Sequence, residues 1–131
     1  MEMNGKLDFQ EWTEVYKKLI FWELELEDIT DHGMIQILES QKVEANSQFG
    51  KFIDKNYPSW FEPNVDAPTL SYNLFRDKIV PELSQEQPTL LVVVDNLRYD
   101  QWKAFEPFVT NHYKKKSETA FFSILPTATQ Y

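Results

Sequence analysis

The chain has 131 residues, a formal net charge of −8 from 21 acidic against 13 basic side chains, and 42% apolar residues. That apolar content takes it out of the disordered class, and the acidic excess argues against broad electrostatic gripping of duplex DNA or of an anionic membrane. With no cysteine, disulfide scaffolding, Cys-ligated zinc and a thiol nucleophile are excluded. No apolar run approaches the roughly 18 residues of a membrane span, and Met1-Glu2-Met3-Asn4-Gly5-Lys6 carries no signal-like apolar stretch, so a soluble, cytoplasmic protein is expected.

The first two thirds read as helices. Asp8 with Glu11 three residues on is a capping-box pattern, and it opens a run in which Trp12, Val15, Tyr16, Leu19, Trp22 and Leu26 recur at helical spacing. This predicts a helix over residues 9–27. A second N-cap at Thr30 or Asp31 introduces Ile35, Leu38, Ala45, Phe49 and Phe52, and Pro58 ends that helix near Tyr57. Gly33 and Gly50 cost it roughly 1 kcal/mol each relative to alanine, which points to close packing or a bend. Pro58, Pro63 and Pro68 punctuate an aperiodic connection, and a third helix is predicted over residues 71–83, with Pro81 spoiling its last turn. The three helices are expected to form a small bundle over residues 1–84. Phe9, Trp12, Tyr16, Phe21 and Trp22 fall on more than one face of the first helix, which favours self-association.

Beyond the polar stretch Ser84-Gln85-Glu86-Gln87 the period changes. Residues 89–94 read as a buried strand, residues 99–113 as a helix with a break or restart at Pro107, and residues 119–125 as a second strand. That is one βαβ unit, whose right-handed crossover sets both strand ends on one edge of a parallel sheet. The predicted fold class is therefore α/β, an N-terminal helical bundle followed by the first βαβ of a second domain over residues 88–131. Two strands cannot cover both faces of such a sheet, so the chain reads as cut off inside a domain.

Candidate chemistry lies at the strand ends. Asp95 follows five apolar residues and either caps the next helix or holds a cation. Asp100 sits in the first helical turn, where an acid is favoured whatever the function. Thr127 and Thr129 follow Pro126; a hydroxyl there either caps a new helix or attacks a phosphorus atom, given a metal to activate it. Arg98 is placed to meet a phosphate or to pair with a carboxylate. His32 and His112 read as surface residues, and Lys114-Lys115-Lys116 as a solvated run at a helix C-terminus. Glycine-rich phosphate loops, the G-x-S-x-G elbow and H-E-x-x-H are absent from the sequence.

The stretch from Leu91 to Asp95 with Asn96-Leu97-Arg98-Tyr99-Asp100, taken with Leu125-Pro126-Thr127-Ala128-Thr129, resembles the opening of a PglZ domain, a branch of the alkaline phosphatase superfamily. With Trp22-Glu23-Leu24-Glu25-Leu26 in the helical part, the whole arrangement resembles the PorX-like response regulators of the type IX secretion system, whose helical linker joins a receiver to a PglZ domain. The resemblance implies that Asp95 binds metal and that Thr129, with Thr127 as the alternative, is both nucleophile and metal ligand. It implies two divalent ions, usually zinc, acting on nucleotide or oligonucleotide phosphoesters; Arg98, close behind the Asp95 strand end, is the candidate to orient the substrate. The implied partners are a histidine kinase, secretion regulators and a second copy of the chain. The receiver and the later Asp and His ligands of the family are not in this sequence. Asp95 and Thr129 alone give a metal two protein ligands where a catalytic zinc usually has three, so the chain by itself is expected to be inactive. A signalling module that uses a degenerate PglZ scaffold, with its aromatic helices for dimerisation, is the alternative.

Overall fold

The computed structural model describes residues 7–83 and 86–127. Helix α1, Phe9–Glu25, starts on the expected capping box: the Asp8 carboxylate accepts the Gln10 and Glu11 N–H groups at 2.8 Å, and Glu11 accepts the Asp8 N–H at 2.9 Å. Helix α2, His32–Asn56, is capped by Asp31, which accepts from Gly33 and Met34. Trp12 meets Phe49 and Phe52 near one end of the pair, and Glu23 meets Lys42 further along, so α1 and α2 form an antiparallel hairpin. Its core is Trp12, Val15 and Ala45, with Leu7, Leu19, Phe49 and Phe52 packed around them.

Pro58 ends α2 as expected, and the chain tightens into a 3-10 turn, Tyr57–Phe61, that buries Trp60 against Phe52. Gly50, by contrast, has open space where a Cβ would stand, and Gly33 lies in the first turn beside Asp31, so close packing does not account for Gly50.

The third predicted helix does not form as an α-helix. Residues 71–73 are a turn, Phe75–Ile79 is a π-helical turn and Val80–Glu82 a 3-10 turn. The Asn73 side chain takes the Leu70 N–H at 2.9 Å, and Pro81 has no N–H to give the Asp77 carbonyl. With that rung of the ladder missing, Val80 donates to Phe75 instead, five residues back. Helix α3, Tyr99–Thr110, runs through Pro107 without the predicted break and packs on α1 with Tyr99 against Tyr16, ring centroids 5.8 Å apart.

The βαβ unit is not formed, and the molecule is mostly helical with no strand among the described residues. Residues 90–94 are exposed, from 48% at Leu91 to 86% at Leu90. A parallel strand is stable when neighbours bond both its edges and helices cover both its faces, and this run has neither. Of the second predicted strand, one parallel bridge survives, Phe122 with Leu70: Phe122 donates to Thr69 at 2.9 Å and Ser71 donates to Phe122 at 2.8 Å. Leu70 is the most deeply buried side chain described, and the Phe122 ring lies 5.4 Å from Trp60 and 6.1 Å from Phe49.

Two substitutions separate helix propensity from packing in urea unfolding. Gly50→Ala stabilises the protein by about 1 kcal/mol, because the added methyl meets nothing and the helix backbone loses less entropy. Trp12→Ala destabilises it by about 3–5 kcal/mol through the cavity it opens.

Candidate functional site

Asp95 stands in a turn between the apolar run and α3. Its carboxylate accepts the N–H of Asn96 at 3.0 Å, and Asn96 takes the left-handed conformation, φ 58°, that asparagine tolerates better than most residues. The sequence pattern predicted an acid desolvated by a strand; without the strand, Asp95 is exposed. Thr127, also exposed, follows Pro126 at the end of residues 119–125, and Thr129 lies outside the described residues.

Arg98 is occupied. Its guanidinium forks onto Asp100, Nε to Oδ1 at 3.0 Å and a terminal nitrogen to Oδ2 at 2.7 Å. That bond, more than anything else, holds the Asp100 carboxyl down at about 2. The Arg98 N–H is taken by Gln101, which caps α3. No group of three or more His, Asp or Glu side chains that could hold a metal ion occurs among the described residues.

The densest polar constellation involves a residue that sequence reasoning passed over. Glu118 accepts from Tyr99 Oη at 2.7 Å, Lys103 Nζ at 3.0 Å, Trp102 Nε1 at 3.2 Å and Lys115 Nζ at 3.2 Å. Glu106 joins it by accepting from Lys103 at 2.7 Å and from Lys115. Partial burial pushes the Glu118 carboxyl up, but the bonds from Tyr99, Lys103, Trp102 and Lys115 together outweigh it and hold the group at about 2. Tyr99, Trp102 and Lys103 share one helical face, which is the signal the sequence did carry. The carboxylate they meet lies 15 residues beyond Lys103, and nothing local marks it. Lys115 is a member of this latch instead of a solvated cation at a helix end, α3 having stopped at Thr110. With every charge paired, the cluster ties α3 to the start of residues 118–122; it offers no open site.

A mostly apolar groove of about 610 Å³ runs between α1, α2 and residues 120–123, lined by Trp12, Tyr16, Leu19, Phe49, Phe121 and Phe122 among others. Asp95, Arg98 and Thr127 do not line it.

Residues 1–61 match the family described as the PorX response regulator linker domain, and residues 74–131 match the BREX system PglZ alkaline phosphatase-like domain. The chain joins PorX-type linker sequence to PglZ-type sequence. No curated protein matches it. Together the two matches support a response regulator with an alkaline phosphatase-like domain, a superfamily that generally uses divalent metals. In the PglZ-type part no helix among the described residues is long and apolar enough to cross a membrane, and the same holds for the linker.

The latch makes the acid limb of stability specific. Because the folded state lowers Glu118 from 4.5 to about 2, its contribution is complete above pH 4.5 and fades as pH falls from there towards 2. Asp100, lowered from 3.8 to about 2, fades over the lower part of that window. Urea midpoints measured across it fall with pH in the native chain, and Glu118→Gln makes the fall shallower.

Proposed function

We propose that this chain is the junction of a two-component response regulator governing type IX secretion, with residues 1–84 as linker and dimerisation part and residues 88–131 as the beginning of the catalytic part. In this reading the PglZ-type domain is a zinc-dependent phosphodiesterase or phosphatase acting on nucleotide or oligonucleotide phosphoesters. The observation that carries it is the conjunction, in one chain, of a PorX linker match and a PglZ match. The upstream partner in this reading is a histidine kinase and the downstream ones are secretion regulators, in the cytoplasm.

Asp95 is the proposed metal ligand and Thr129 the proposed nucleophile and second ligand, with Thr127 as the alternative. The described residues do not by themselves suit a metal: Asp95 is an exposed carboxylate on a turn, and the further carboxylates and imidazoles that a catalytic zinc needs do not converge on it. What this chain supplies is the acid, the hydroxyl and a cation. Arg98 reaches a phosphate only by leaving Asp100, so its use for substrate carries the cost of an ion pair already made.

A second reading, a non-catalytic interaction module, is favoured by the aromatic and aliphatic side chains left uncovered on the hairpin. Phe21, Trp22, Ile37 and Val43 are all about half exposed or more, with Val43 at 72%. A surface of that kind suits a second copy of the chain.

Joined to a complete PglZ domain and supplied with zinc, the segment is expected to hydrolyse bis(p-nitrophenyl) phosphate. Thr129→Val then lowers turnover by about 10³-fold or more with the circular dichroism spectrum unchanged, since the two side chains have similar shapes. Unchanged turnover assigns the nucleophile to Thr127 or removes the enzymatic reading, and Thr127→Val decides which. For the second reading, sedimentation at high concentration shows a dimer that Val43→Lys with Trp22→Lys converts to a monomer.

A further inference from the structure

Residues 119–125 are hung from the linker side of the molecule. The Tyr57 hydroxyl oxygen accepts the Leu125 N–H at 2.6 Å, and Ser71 Oγ accepts the Ile124 N–H at 3.1 Å. Two residues earlier, the Phe122 amide and carbonyl pair with Thr69 and Ser71, and its ring is set against Phe49 and Trp60. Tyr57, Phe49 and Trp60 lie within the span that matches the PorX linker, whereas residues 122–125 lie in the PglZ match. In a strand, successive amides point to opposite sides and are met by neighbouring backbones. Here the consecutive amides of Ile124 and Leu125 are both met by hydroxyl groups, immediately before Pro126 and Thr127. The packing of Tyr57 does not require its hydroxyl: the ring contacts Trp60 and Phe61 at 5.8 and 5.1 Å, which a phenylalanine would reproduce.

We propose that Tyr57, supported by Ser71, is a positioning residue for the threonine turn, so that the end of α2 sets where the backbone at Pro126 and Thr127 stands and a displacement of α2 is passed on to it. As a statement about regulation, this rests on the reading of that turn as the bearer of the nucleophile. The mechanical link itself does not. A linker helix whose C-cap residue holds the first residues of the turn gives a response regulator a direct route from helix geometry to catalytic geometry, through one hydrogen bond and one ring cluster.

Amide hydrogen exchange and backbone resonances of the whole chain test the link without any need for activity. Tyr57→Phe is expected to speed exchange at Leu125 about tenfold or more and to shift the Thr127 amide resonance, while the amides of α1 stay as they were. Ser71→Ala does the same at Ile124, and Ser71→Thr, which keeps a hydroxyl, restores protection. Unaltered exchange at Leu125 with an unmoved Thr127 resonance in folded Tyr57→Phe overturns the proposal, as does loss of protection at Ile124 in Ser71→Thr equal to that in Ser71→Ala. Because the readout is exchange, its outcome is independent of whether Thr129→Val abolishes turnover.

Discussion

The placement of Phe122 against Phe49 and Trp60 is the contact on which the rest of the molecule depends. A hairpin of two helices buries little: Trp12, Val15 and Ala45 form its closed core, with the remaining rings packed around them. Trp12 meets Phe49 edge-on at 5.4 Å, Phe49 and Phe52 stack at 6.0 Å, and Phe52 reaches Trp60 at 5.9 Å. Phe122 closes that series from 62 residues beyond Trp60. Each such pair contributes about 0.5–1.5 kcal/mol beyond the area it covers. Several of them together are comparable with the whole net stability of a small domain. Without Phe122, the Leu70 bridge loses its partner, and the two hydroxyl contacts that follow it lose the geometry that makes them possible.

The parts of this fold that could be read from sequence are those decided within a few residues. Asp8 with Glu11, and Asp31 ahead of Gly33 and Met34, are local capping reactions, and Pro58 acts on its own helix. The irregular turns over residues 75–82 differ from the predicted helix because periodicity reports the apolar face and not the hydrogen-bond ladder, which Pro81 interrupts. The predicted strands are missing among the described residues for a different reason. A run such as Leu90-Leu91-Val92-Val93-Val94 states that its side chains belong in an interior, but a strand is a relation between segments, and no segment among the described residues pairs with it. For the candidate site the same division holds. Asp95, Thr127 and Arg98 stand out by their position relative to predicted strand ends, and their local surroundings are what the structure reveals: of the two partners open to Arg98, a phosphate or a carboxylate, it takes the carboxylate of Asp100 two residues away. Glu118 carried no local mark at all.

The exposed run has a consequence for the chemistry. An acid gains its use as a ligand from neighbours that hold it still and from other donors that converge on the same point. The turn at Asp95 and Asn96 gives neither, because the five residues before it are not fixed in a sheet. The same exposed β-branched segment is also an unprotected edge of the kind that folded proteins cover or charge. Covering it and building the proposed metal site are therefore one structural event: the backbone partners that would bury residues 90–94 are the ones that would fix the position of Asp95.

Residues 118–125 are held at two points of unequal stiffness. At one end, Glu118 is bound to α3 by Tyr99, Trp102, Lys103 and Lys115, contacts between side chains that are only partly screened from water and weaken with salt. At the other, Phe122 is held by two backbone hydrogen bonds and by buried or half-buried rings, and Leu125 by the Tyr57 hydroxyl. A backbone pair beside a ring cluster resists displacement more than long lysines do, because far less side-chain entropy is at stake. When α3 and the hairpin move relative to each other, the segment should follow the hairpin and the charged latch should give way. The threonine turn is thereby tied more firmly to the linker than to the helix that follows Asp95, so the two candidate catalytic groups, Asp95 ahead of α3 and the hydroxyl beyond residue 125, are held by different elements. Bringing them to one metal requires those elements to be set in register, and Phe49 of α2 with the Tyr57 that follows it is among the contacts that hold residues 122–125.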